Sequence, residues 1–452
     1  MSSVAATASP GRGLLRILGL AFGVAVVIGN TVGVGIMRTP GPTAGRLRDP
    51  MLIYLVWLGV GLFVLMIANT LAELATAMPK AGGPYIYVRR AFGDYLGFVS
   101  GCGVVAIQVL AGGYLAIASS EFLAEIWPSL AAHETVIATA LIVLLAALNS
   151  FELRASNVAQ QLLSLLKVLT LVALVVAAFS YSASSSHTAH AVATAAPSVG
   201  FVAVVVSVQT VLEVYGGFDS PCFFSEETTN PDRTVPRALL YGVLLVIGIY
   251  LAVNAALLHV LSPAELGASK LAAADALARV YGPPARIAVA LAAVVASLSV
   301  LNVAILVAPR ILYSMGRDGL FVSSGTYVTR HGIPLPSMWL STAGAIVVAN
   351  VGAFDTLYTA SSFLNACVLL LCSGALFVLR RREPDLRRPY RAFGYPWVPG
   401  LALIVGAAML VVFVLGNTRP SLMAIAVVAV TYPLFRFVQR RRSPTPVPVD
   451  RT

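Results

Sequence analysis

Charge is scarce in this sequence: Asp, Glu, Lys and Arg together make up 11% of 452 residues. Soluble globular domains carry about a quarter charged residues, so a soluble fold is excluded. Cysteine is rarer still. The four present, Cys102, Cys222, Cys367 and Cys372, all sit in apolar runs, which leaves neither a disulfide framework nor a metal-ligand set. Of the five histidines, His133, His187, His190 and His331 read as loop residues and His259 lies near a helix end. His187 and His190 have a ligand-like spacing, but no cysteine or carboxylate accompanies them. The chain shows no nucleophile–base pairing of an intramembrane enzyme, and no filter sequence or ring of charges of the kind a channel uses. These absences lead us to expect no metal, no cofactor and no catalytic site.

What fills the chain instead is apolar: 58% of its residues are hydrophobic. About twelve apolar runs recur, most of them near the 20 residues that cross a bilayer core. The first six are Leu14–Met37, Leu52–Met78, Tyr95–Phe122, Thr135–Asn149, Val158–Tyr181 and Phe201–Phe224. Ala238–Leu261, Ala285–Leu312, Ser337–Val351, Leu357–Leu379, Val398–Leu415 and Met423–Phe437 follow. No soluble domain fits between them, so residues 1–452 read as a single all-α integral membrane domain.

With the N-terminus inside, 22 of the 30 Lys and Arg fall in inner segments and 7 in outer ones, with Lys167 inside a span. That asymmetry follows the positive-inside rule and expects both termini in the cytoplasm and the protein in the cytoplasmic (plasma or inner) membrane. The net charge of +11 is therefore set by topology and gives no reason to expect nucleic acid. The partner it implies is the lipid bilayer, whose anionic headgroups attract such arginines. Gly11-Arg12-Gly13-Leu14 imitates the start of a secretory signal, but the run after it is too long and lacks a small-residue cleavage site, so no cleavage is expected.

Two of the apolar runs are interrupted. Gly29-Asn30-Thr31-Val32-Gly33-Val34-Gly35 breaks the first, and Tyr215-Gly216-Gly217-Phe218-Asp219-Ser220-Pro221 breaks the sixth. Glycine clusters at membrane depth free backbone groups where no water can satisfy them, and are tolerated where they line a buried site. A corresponding pair in two halves of a chain is the mark of a secondary transporter. Because a unit that starts at each break holds five spans, an odd number, the second unit must enter from the opposite side. We expect a 5+5 inverted repeat, residues 14–181 and 201–379, with two additional helices at 398–437. The loop Ser182–Ser198 joins the halves, and Gly82-Gly83-Pro84 forces a short re-entrant or surface segment.

The residues around these breaks carry a specific likeness. Gly29 to Pro40, Ala72-Glu73-Leu74 with Pro79-Lys80-Ala81-Gly82-Gly83-Pro84-Tyr85, Glu226 to Ala238, Arg310 to Gly319 and Arg387-Arg388-Pro389-Tyr390 occur in this order. The chain resembles the amino acid–polyamine–organocation superfamily, and within it amino-acid permeases of the L-type and cationic branches. The resemblance implies the fold of sodium-coupled neurotransmitter transporters, and substrate backbone near Asn30, Thr31, Val34, Gly35, Val214 and Gly216. The physics agrees. Free N–H groups of Gly33, Val34 and Gly35 at a helix start suit a carboxylate, and unpaired carbonyls around Thr31–Val32 and Glu213–Gly216 suit an ammonium. The alternative is that the glycines only let helices pack closely.

Two positions depart from the family. Many relatives carry serine where Val34 stands, and an aromatic residue where Glu213 stands. An ionisable group at membrane depth is costly and marks a function: Glu213 binds an amine or carries a proton, unless it is a neutral side chain hydrogen-bonded to a neighbouring helix. Lys167 matches the fifth-helix lysine that replaces a sodium ion in sodium-independent relatives, with Ser297 and Ser299 expected beside it. It is either a proton carrier or a fixed clamp on the broken first helix. Asp219 caps the half-helix after the second break or joins in proton coupling. Glu73, Glu226, Glu227, Arg233, Arg310, Arg317 and Asp318 are expected to form gate or loop salt bridges at the inner face. The expected function is amino-acid transport by alternating access, proton-coupled or exchanging, with cationic amino acids first. A polyamine or organic-amine transporter of the same fold, and a transporter-like sensor, are the alternatives.

Overall fold

The computed structural model describes residues 19–80, 82–151, 153–181, 199–225, 228–269, 271–329 and 333–441. The expectations placed on residues 11–18, on the loop 182–198 with His187 and His190, on Glu226 and Glu227, and on His331 lie outside them.

The first span is discontinuous: α1 (Leu20–Thr31), α2 (Val34–Arg38) and α3 (Pro40–Leu47) take the place of one helix. We call the side where α1 starts the near side and the opposite one the far side. α4 (Pro50–Ala77) returns, its start capped by Asp49, whose carboxylate accepts from the Met51 amide at 2.8 Å. Met51, Leu55, Leu58 and Leu62 are exposed on one face of α4, while Ile53, Trp57, Val60 and Val64 are buried on the other. A helix apolar on both faces has no polar side for water, so its outward stripe faces lipid. α5 (Pro84–Phe92) is the short segment expected after Gly82 and Gly83, and it is buried through Tyr85, Tyr87 and Val88.

α6 (Asp94–Ile126), α7 (Glu134–Phe151) and α8 (Leu153–Phe179) follow, then the second broken span, α9 (Phe201–Val214) and the single turn α10 (Ser220–Phe223). α11 (Pro231–Val260) crosses back to two short far-side helices, α12 (Pro263–Ala268) and α13 (Ala272–Tyr281). α14 (Pro283–Arg317), α15 (Leu335–Val351), α16 (Phe354–Arg382), α17 (Trp397–Gly416) and α18 (Thr418–Arg441) complete the chain. Eight of the described helices are long and apolar enough to cross a membrane, and Phe201–Val214 and Leu335–Val351 are shorter apolar helices.

These helices pack in two groups. α6, α7, α14 and α15 contact one another, while α11 lies against α1 and α4, and α4 against α9. α16 touches both groups through α6 and α9, so both breaks fall between them. Ion pairs staple each end. On the near side Asp318 pairs with Arg89 at 2.6 Å and accepts from the Tyr85 hydroxyl at 2.8 Å. On the far side Arg286 bridges Glu125 at 2.8 Å and Asp275 at 2.6 Å.

Candidate functional site

Both breaks open onto one cavity of about 90 Å³. Every residue expected at the substrate lines it: Asn30, Thr31, Gly33, Val34 and Gly35 from the first break, and Glu213, Val214 and Gly216 from the second. Asp219 lines it as well. The chain can come this close because the breaks interlock. Gly217 has φ +88°, and a Cβ there would lie 2.8 Å from Nδ2 of Asn30. Asn30 in turn donates to Oγ of Ser220 at 2.6 Å, tying α1 to α10. At Gly35 an added Cβ would meet Val214 at 3.1 Å and the Tyr358 hydroxyl at 3.2 Å.

Val32 and Gly33 are extended, so the first amides of α2 have no helical carbonyl behind them. The carbonyl side differs from expectation. Several carbonyls that the sequence left free have donors: Glu213 O accepts from the Gly216 amide at 2.9 Å, and Thr31 O and Val214 O both face the Tyr250 hydroxyl, at 2.8 and 2.9 Å. The reason is a tyrosine from α11 that reaches both helix ends, and nothing in the pattern of that apolar run announces it.

Glu213 is 8% exposed and held on one oxygen only. Its Oε1 accepts from the Tyr114 hydroxyl at 3.1 Å and the Ser361 hydroxyl at 2.6 Å, while Oε2 has no partner. A buried acceptor left unmet is costly. Tyr114 also lines the cavity and belongs to its far-side cover. Tyr114, Phe354 and Tyr358 pack ring against ring, with centroids 5.0 to 5.6 Å apart, and the Arg38 guanidinium sits 3.8 Å above the Phe354 ring. Arg38 also pairs with Glu121 and lines a separate far-side recess of about 650 Å³, so this layer divides that recess from the cavity. Tyr114 and Ser361 were missed in the sequence because hydroxyls inside apolar helices leave no periodic signal.

The residues expected to serve coupling or gating are placed differently. Lys167, 2% exposed, does not line the cavity; it reaches the first break from behind and donates to the carbonyl of Gly29, in the last turn of α1. Ser297 does not join it. Its hydroxyl pairs with Ser119 of α6 at 2.6 Å and donates to Val294 O at 2.9 Å, because α14 turns that face toward α6. Ser299 is buried on the same helix. Asp219 stands at the cap position of α10, but its carboxylate makes no capping bond. Its backbone carbonyl accepts from the Cys222 amide at 2.9 Å instead, so the capping role is withdrawn.

Comparison with known proteins adds independent information. A model of the amino acid permease family matches residues 17–433. The serine/threonine exchanger SteT of Bacillus subtilis is 26% identical over 414 residues, 90% of this chain and 92% of the exchanger. The human b(0,+)-type amino acid transporter 1 is 24% identical over 384 residues, 84% of this chain and 79% of that protein. The human large neutral amino acids transporter small subunit 2 is 23% identical over 401 residues, 86% of this chain and 74% of that protein. All three relatives are transporters and none is an enzyme.

Proposed function

Since the chain belongs to the amino acid permease family, we propose that it carries α-amino acids through the cavity at its two helix breaks by alternating access across the cytoplasmic membrane, with both termini in the cytoplasm. The observation that carries this reading is the convergence of both breaks on one cavity that also holds the unpaired Oε2 of Glu213. The first-turn amides of α2 offer a place for the substrate carboxylate. The α-ammonium faces the carbonyl edge at Thr31 and Val214, where one phenolic proton serves two acceptors. Glu213 takes a second amine, so lysine-like amino acids come first. Val34 supports the same preference, since it offers a carboxylate no hydroxyl. A diamine or other organic amine is the second reading, favoured by the free Oε2 alone.

Residues 14–181 and 201–379 form the two inverted repeats in this account, and 398–437 the added helices. Lys167 stands in for a sodium ion by holding the Gly29 carbonyl, so transport runs by exchange or with protons. Exchange is the mode that the name of the bacterial relative carries. Purified protein in liposomes, preloaded with unlabelled amino acids, tests the reading directly. We expect labelled L-lysine or L-serine to accumulate above empty liposomes, and no signal above empty liposomes for any member of a full amino-acid panel would refute it.

A further inference from the structure

The geometry points to Tyr250 as a positioning residue of the substrate site: its hydroxyl clasps the C-terminal ends of α1 and α9 and sets the spacing of the two breaks across the cavity. This rests on the reading that substrate binds in that cavity. Tyr250 does not line the cavity and is fully buried. Its oxygen nonetheless lies 2.8 Å from the carbonyl of Thr31, the last residue of α1, and 2.9 Å from that of Val214, the last residue of α9. Both residues do line the cavity.

Two helix C-termini bring two negative dipole ends together, and they repel one another unless a donor stands between them. Each end also carries carbonyls with no helical partner. Around the first break those carbonyls are shared out: Ile28 O accepts from the Val32 amide, Gly29 O from Lys167, and Thr31 O faces Tyr250. Around the second, Val211 O accepts from the Tyr215 amide, Glu213 O from the Gly216 amide, and Val214 O faces Tyr250. Tyr250 thus appears in both sets. Lys167 serves only one helix, and backbone amides serve only their own.

The ring is not free to turn away. It meets Trp57 edge-on with centroids 5.5 Å apart, and Tyr215 at 4.9 Å. Tyr215 is itself pinned, donating to the Trp57 carbonyl at 3.1 Å. The hydroxyl is therefore aimed by packing at both carbonyls.

Tyr250→Phe keeps the ring and removes the one donor. In liposomes we expect the KM for L-lysine and L-serine to rise about tenfold, with Vmax per folded molecule within about twofold of wild type. 4-Aminophenylalanine at position 250, whose amine can donate to both carbonyls, restores the wild-type KM. An unchanged KM in Tyr250→Phe, with or without lower thermal stability, overturns the proposal. So does a failure of the amine to restore the KM, or a Tyr250→Phe protein that does not fold. Gly35→Leu separates the underlying premise: if that variant still transports, the placement of the site fails, whereas its loss together with a wild-type KM in Tyr250→Phe rejects the clasp alone.

Discussion

Among the described residues two glutamates are buried, Glu73 and Glu213, and they are treated in opposite ways. Glu73, at the near-side end of α4, is 1% exposed, and both its oxygens are occupied. Arg380 donates to them at 2.9 and 2.5 Å, the Ala392 amide at 2.7 Å, and Arg388 lies 3.3 Å away. Glu213, in the last turn of α9 at the second helix break, shares its burial but keeps one oxygen unpartnered. A charge surrounded by donors on every side is architecture: Glu73 ties α4 to α16 and to the connector after it. A carboxyl group buried with one oxygen unpartnered keeps an acceptor in reserve. The completeness of the pairing, more than the depth of burial, separates the two.

The comparison can be broken in several ways. The largest effect is expected at neither glutamate but at the space Glu213 looks into. Gly35→Leu places a side chain where even a Cβ already meets Val214 and Tyr358, so uptake should fall to the level of empty liposomes. The variant should still insert, eluting as a single species on size exclusion in detergent. Transport near wild-type level would move the site elsewhere.

Next in size is Glu73→Ala. Removing one partner of a buried ion pair typically costs about 3–5 kcal/mol. We expect a clearly lower thermal unfolding midpoint in detergent, and an unchanged KM in the fraction that remains folded. A raised KM with unchanged stability would erase the distinction drawn above. The smallest effect is expected from sodium. Replacing it with choline at fixed pH and voltage should leave uptake essentially unaltered, because a cation beside a charged Lys167 would meet about 4 kcal/mol of repulsion at 4 Å and moderate dielectric. A steep rise with sodium would contradict that role for Lys167.

The frame of the fold was legible because backbone rules wrote it. Gly29 to Gly35 and Tyr215 to Pro221 mark the helix breaks that follow Thr31 and Val214, since clustered glycines weaken a helix. Gly82 and Gly83 announced α5 for the same reason. What stayed hidden depends on which helix faces which. Tyr250, Tyr114 and Ser361 are ordinary members of apolar runs, and only packing brings them to Thr31, Val214 and Glu213. The pairing of Ser297 with Ser119 likewise follows from the rotation of α14 against α6, which two serines cannot disclose. Asp219 shows the converse: a residue with a strong capping preference in the cap position, with the bond unmade.

The claim that Glu213 reads a substrate amine is tested most directly by a ratio. Uptake of L-lysine and of L-serine should be measured in wild type and in Glu213→Gln, at matched protein density and pH. A charge-assisted hydrogen bond is worth about 1.5–3 kcal/mol, so the lysine-to-serine preference should fall about tenfold or more in the variant. L-Serine uptake itself should change little. An unchanged ratio with a flattened pH dependence of uptake would contradict the account and make Glu213 a proton carrier instead.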